Sequence, residues 1–233
     1  MTGPTERLGV GVGVGVGVGF QFQDKQQGPI DVEMLDRSTT WLRQVHGPRV
    51  VVVDPAGTHR GEEADAAVTS CVDARLLIRA ADCAPILLIG EHDGRVTSVG
   101  VAHAGWRGLL TGILPATVGA LHGLGARQIR ASLFPCIGMC CYEFRDPELG
   151  AMVASFGESV RGQTSTGAPA LDMVASVRAS LLLSGVAELD VSSWSCTACN
   201  GDRFFSFRAR RESGRLGLFV WLEAKPSTGQ CDP

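Results

Sequence analysis

Five short runs of branched aliphatic residues, each closed by Gly, Asp or Pro, most constrain how this chain can fold: Arg49–Asp54, Leu76–Arg79, Pro85–Ile89, Arg95–Ala102 and Gln128–Leu133. They are too short for helices and too apolar for exposed loops, which leaves buried strands. Between and after them, apolar residues recur at helical spacing. Leu109, Leu110, Ile113, Leu114, Thr117, Val118 and Leu121 make one face of a helix over Gly108–Leu124. Pro147–Phe156 and Asp172–Leu183 are further helices, with Pro147 suited to a first turn and Asp172 to an N-cap. Gly162–Ala168 reads as a polar loop and Leu216–Leu222 as a final strand. The pattern predicts an α+β fold with mixed sheets in a single domain, since no repeat or long linker divides the chain.

The alternating Gly and Val of Gly9–Gly19 put every Val on one face of a strand. Gly at each second position weakens pairing and leaves register poorly specified. We therefore separate a divergent N-terminal segment (1–40) from a domain over 41–224, and expect the Pro-, Ser- and Gly-containing tail over 225–233 to be disordered.

A net charge of −3 carries no basic footprint for nucleic acid, and Arg208-Ala-Arg-Arg211 is too short to supply one. No apolar run reaches the roughly 20 residues that span a bilayer, and no secretory signal is evident, so a cytoplasmic protein without a membrane partner is expected. In that compartment the eight cysteines suit metal binding or buried thiols better than disulfides.

His46, Cys83 and His103 lie in Gln44-Val-His-Gly47, Ala81-Asp-Cys-Ala-Pro85 and His103-Ala-Gly-Trp-Arg-Gly108. Two imidazoles and a thiolate suit zinc while leaving a fourth position open, as reactive sites do. Taken one at a time, each residue reads equally as an ordinary core or loop side chain. The three blocks in this order resemble the YfiH-like family, known as multicopper polyphenol oxidoreductases or laccases and reassigned as purine nucleoside phosphorylases. The similarity runs from about Trp41 to Glu223. Pro135-Cys-Ile, Cys141-Tyr-Glu143, Cys196-Thr197 and Phe205-Ser-Phe-Arg208 match further motifs, with Phe134 in place of a Gly and Phe207 in place of a His or Tyr. The family's Gly-Gly-Val-Ser and Ser-Leu-Asn-Leu-Gly segments are missing from the N-terminus.

The resemblance implies mixed sheets packed between helices, a zinc held by His46, Cys83 and His103, and phosphorolysis of adenosine or inosine, with guanosine and methylthioadenosine as further substrates. Adenosine deamination is a second implied activity. Copper is a substitute that the same soft ligands would accept. Asp82 and Arg107 are the catalytic candidates. Asp82 reads equally as a support for a ligand, a proton carrier or a turn cap; Arg107 reads as a phosphate ligand or as a stem packed on Trp106. Arg43, Arg107, Cys136, Tyr142 and Arg208 are candidates to bind nucleoside and inorganic phosphate.

Copper-dependent polyphenol oxidation is the weaker alternative, because five scattered His cannot hold several coppers. A non-catalytic, metal-stabilised interaction protein is the other. The clustered Cys136, Cys140 and Cys141, with Cys196 and Cys199 far downstream, lack a paired Cys-x-x-Cys framework, and a second metal is not expected from them.

Overall fold

The computed structural model describes residues 16–224. In chain order the elements are β1 (Val16–Gln23), β2 (Thr39–Trp41), β3 (Val50–Val52), β4 (Ala66–Thr69), β5 (Arg75–Ala80), β6 (Ala84–His92) and β7 (Arg95–Ala104). Then come α1 (Trp106–Thr111), α2 (Ile113–Gly123), β8 (Gln128–Leu133), α3 (Glu148–Phe156), β9 (Arg161–Gln163) and β10 (Pro169–Leu171). The chain closes with α4 (Met173–Leu183), β11 (Leu189–Asp190), α5 (Phe207–Arg210) and β12 (Leu216–Ala224).

A six-stranded sheet, ordered β11-β8-β6-β7-β4-β3, is antiparallel at its centre and parallel at both edges. A four-stranded sheet, ordered β1-β12-β5-β2, lies against it. Alternation along β6 explains the layering, because successive strand residues point to opposite faces. Leu87 and Ile89 face the smaller sheet, with Val18, Ile78, Leu218 and Val220. Ile86 and Leu88 face α1 to α4, with Leu109, Leu114, Val118 and Val177. Each fully buried Leu or Ile contributes about 1.5–3 kcal/mol. A strand loaded on both faces is thus anchored twice, and the ends of β6 and β7 make a firm platform for side chains.

The mixed sheets and single domain agree with the pattern in the sequence, and the differences are local. The apolar stripe over Gly108–Leu124 is two helices, because Gly112 adopts φ +89° and ends one before the next begins. Asp172 does cap α4, accepting the Ala175 amide at 3.0 Å. Gly162–Ala168 is not simply a loop: Arg161–Gln163 pairs antiparallel with Pro169–Leu171 around a tight turn. The short strands β2 and β4 carry too few residues to show a period.

Residues 9–15 of the Gly-Val run and the tail over 225–233 lie outside the described residues. From Val16 onward the run pairs with β12 along the length of β1. Gly19 is needed there, since a Cβ would overlap the Trp221 indole. That ring is held by the Arg75 guanidinium 4.3 Å above it and by a 3.2 Å bond to Glu223. Gly19→Val is expected to destabilise the protein by about 1–3 kcal/mol through overpacking. A urea midpoint equal to that of the wild type would refute this.

Candidate metal centre and adjoining cleft

Register brings Cys83 and His103 to one end of the central β6–β7 pair, where the loop carrying His46 meets them. In the β6–β7 hairpin Pro85 lies opposite His103, so Cys83, just before β6, reaches the same end. Strand β4 pairs with β7 so that Ala66 faces Ala102, which places Asp65 beside His103. The His103 amide donates to the Asp65 carbonyl at 2.7 Å. His46 arrives on the loop between β2 and β3, in a left-handed conformation with φ +61° that is uncommon for a side chain of its size. The two imidazoles and the Cys83 sulfur offer ligand atoms within 4.8 Å of one another, with Cys83 Sγ 3.8 Å from His46 Nε2.

Asp65 holds this arrangement together, and the sequence reading did not single it out. Its carboxylate is fully buried. Oδ1 accepts from the His46 amide at 2.9 Å and from His103 Nδ1 at 2.8 Å; Oδ2 accepts from the amides of Val45 and Gly47 at 3.0 and 2.8 Å. The bond to Nδ1 leaves His103 Nε2 free for a metal, a common arrangement around zinc ligands. The available signal was a lone carboxylate inside the small apolar stretch Ala64–Val68, where a charge demands partners.

The donor set fits a soft divalent ion. Burial pushes the Cys83 thiol up, but the His103 and His46 imidazoles pull it further down, to about 6. Burial likewise opposes charge on His103, while the Cys83 sulfur and Asp65 raise it to about 9. Each thus favours the other's charged form, thiolate beside imidazolium, and a metal bound here would displace the His103 proton. Gly105 permits the approach, since a Cβ there would stand 3.0 Å from both Cys83 Sγ and His46 Cδ2. Among the described residues no fourth Cys, His or carboxylate joins the group.

Beyond Gly105 the chain enters a cleft of about 560 Å³ lined by Trp106, Arg107, Glu143, Phe144, Arg145, Glu148 and Arg208. His46, Cys83 and His103 do not line it; they stand behind the turn from which Trp106 and Arg107 project. Arg145 is paired with Glu143, whereas neither Arg107 nor Arg208 has a carboxylate partner among the described residues. Arg107 lies 4.4 Å over the Trp106 ring and Arg208 lies 4.8 Å over Tyr142. Trp106, Phe144 and Tyr142 pack in sequence, with centroids 5.4 and 5.1 Å apart. Burial, and then the Cys83 charge, push the Tyr142 hydroxyl up, so it stays protonated between the ligand group and Arg208.

Other candidates fall elsewhere. Arg43 is 67% exposed, bound to Glu63 at 2.8 Å and not among the residues lining the cleft. Cys136 is wholly buried, its sulfur accepting from Trp194 Nε1 at 3.2 Å, which excludes it from contact with a ligand in this conformation. Asp82 is buried at φ +94° and accepts from Thr197 Oγ1 and the Arg208 amide, both at 2.7 Å, so it ties the Arg208 arm to the Cys83 turn. Glu212 anchors the other end of that arm through Lys25 and the Ser206 amide. Phe207 is exposed under the Arg211 guanidinium.

The multi-copper polyphenol oxidoreductase laccase family model matches residues 27–223. The chain belongs to this family. Among relatives, the purine nucleoside phosphorylase ORF3 of Streptomyces griseus is 40% identical over 78% of this chain and 74% of its own length. A purine nucleoside phosphorylase of Xylella fastidiosa is 38% identical over 78% and 71%. Among solved structures, YlmD from Geobacillus stearothermophilus superposes with a TM-score of 0.73 at 26% identity, covering 90% of this chain and 92% of that one. The family's fold is thus the mixed-sheet arrangement described above. Among the described residues no helix is long and apolar enough to cross a membrane.

Proposed function

We propose that this chain is a zinc-dependent purine nucleoside phosphorylase, transferring the ribosyl group of adenosine or inosine to inorganic phosphate to give the free base and ribose 1-phosphate. Guanosine and methylthioadenosine are further substrates of the same class. The observation that carries the reading is the juxtaposition of a three-residue donor group with a cleft bearing two arginines that have no carboxylate partner among the described residues, in a chain whose relatives are named for this activity.

Zinc held by His46, Cys83 and His103 would supply Lewis acidity toward a substrate oxygen. Arg107 and Arg208 bind the phosphate, their planar forks matching its oxygens. Asp82 is a positioning residue, because its carboxylate fixes the Arg208 amide rather than facing the cleft. The protonated Tyr142 hydroxyl is available as a donor beside Arg208. The exposed Arg43 is left with its Glu63 partner and has no part in this reading. Adenosine deamination would share the metal, and copper would compete for it. A ligand set that closes on three protein groups argues against a purely structural ion.

The test is to mix zinc-loaded protein with a nucleoside panel, with and without phosphate, and separate the products. Free base and ribose 1-phosphate formed only with phosphate are expected; an untouched panel at saturating phosphate overturns the reading. Arg208→Ala should raise the KM for phosphate at least about tenfold, the worth of a lost charged hydrogen bond, with metal content unchanged. An unaltered phosphate KM would remove Arg208 from the anion site.

A further inference from the structure

Cysteines that are remote in the chain are brought together by the fold at a second place, away from His46, Cys83 and His103. Cys140 and Cys141 sit on a short turn, Met139–Cys141, and the loop carrying Cys196-Thr-Ala-Cys199 folds onto it. An isolated bridge between Cys136 and Cys196, and the Thr197 amide donating to the Cys136 carbonyl at 3.1 Å, join the two segments. All four sulfurs fall within 4.8 Å of one another. Cys140 Sγ is 3.7 Å from Cys196 Sγ and 3.6 Å from Cys199 Sγ, and Cys141 Sγ is 3.4 Å from Cys199 Sγ.

These spacings suit an ion better than a disulfide. Four sulfurs at about 2.3 Å from a tetrahedral zinc stand roughly 3.8 Å apart. A disulfide would select one pair at about 2.05 Å, yet here Cys140 and Cys199 each approach two partners. Surroundings agree with a charged site. The Gly138 amide donates to Cys196 Sγ at 3.3 Å. Arg210, which shares Glu212 with Lys25, donates to the carbonyls of Thr197 and Ala198 and so holds the Cys196–Cys199 turn in place. Cys196 is buried in the core and Cys140 and Cys141 pack against it, but Cys199 is exposed, so apolar packing does not account for its approach to the other three.

We propose that Cys140, Cys141, Cys196 and Cys199 form a second, four-thiolate zinc site, separate from His46, Cys83 and His103. Its four protein ligands close the coordination shell, so the ion is structural. The site staples the turn leading into Tyr142 to the loop whose Thr197 holds Asp82. It therefore fixes the rear wall of the cleft without touching a substrate.

The experiment measures zinc per chain by native mass spectrometry and elemental analysis on full-length protein purified anaerobically with zinc. Two ions are expected in the wild type, one in His103→Ala and one in Cys199→Ser. Cobalt in His103→Ala should show strong thiolate charge-transfer absorption, because the remaining ion has an all-sulfur shell. A single zinc in the wild type that is lost in His103→Ala overturns the proposal, so misfolding of Cys199→Ser leaves it falsifiable. Two ions retained in folded Cys199→Ser, or a zinc-loaded protein lacking two hydrogens through a disulfide in this cluster, overturn it as well. Because the four-cysteine ion is counted in His103→Ala, the result is independent of whether the chain cleaves nucleosides.

Discussion

Replacing His103 with alanine is expected to empty the metal centre at the end of β7 and to lower phosphorolysis at least about a thousandfold, since a catalytic metal supplies several kcal/mol to the transition state. The imidazole is buried and approaches both Cys83 and Asp65, so no solvent-exposed side chain can swing in to replace it. Cys83→Ala should do the same, because it removes the only thiolate of the set. Any deamination should fall in parallel with phosphorolysis in both variants. Zinc competition against a chromogenic chelator, read beside product formation, distinguishes the outcomes. Tight binding retained at this centre in both variants would reject the ligand assignment. Loss of metal with full activity would reject the metal's role in the reaction.

Asp65→Asn is expected to be nearly as damaging, although Asp65 offers no atom to the metal. Its two oxygens accept four hydrogen bonds, from three consecutive backbone amides and His103 Nδ1. An asparagine keeps one oxygen and turns an NH2 group toward two of those donors. The donors on that side, partly shielded from water, are then left unpaired, at about 1–3 kcal/mol each. A loss of about 3–5 kcal/mol in stability and about 10–100-fold in zinc affinity should follow. Denaturant unfolding of the metal-free protein separates the first effect from the second. Unchanged values for both would show that the loop around His46 is held by other means.

The same carboxylate gives the stability a pH dependence. Burial opposes its charge, but the bonds from His103, Gly47 and His46 hold it below the ordinary carboxylate range. A depressed carboxylate contributes its stability above the unfolded value, near 4, and loses it as the pH falls below that. His103 works in the opposite direction. Raised to about 9, it stabilises the metal-free protein fully below about 6.5 and ceases to do so as the pH climbs through 9. The Cys83 thiol, lowered to about 6, gains stability with rising pH over the same interval and offsets the His103 loss, so the metal-free wild type should lose stability chiefly on the acid side, and Asp65→Asn should flatten that limb.

Local pattern alone made the longer strands, the Asp172 cap and the donor chemistry of the motif residues legible. Runs such as Pro85–Ile89 and Arg95–Ala102 are self-describing, because period and flanking residues act over a few positions. His46, Cys83 and His103 were legible through the motifs around them. Tertiary structure alone decided which other residues stand near them. Asp65 became the organiser of the centre through the β4–β7 register, and Arg43 was drawn to Glu63 at the surface. Cys136 was buried beneath Trp194, while four cysteines up to 59 positions apart converged on one point. The physical reason is that strand order, crossover and register set distances between segments remote in the chain. Those depend on how two sheets and a layer of helices share one core, which no local pattern records.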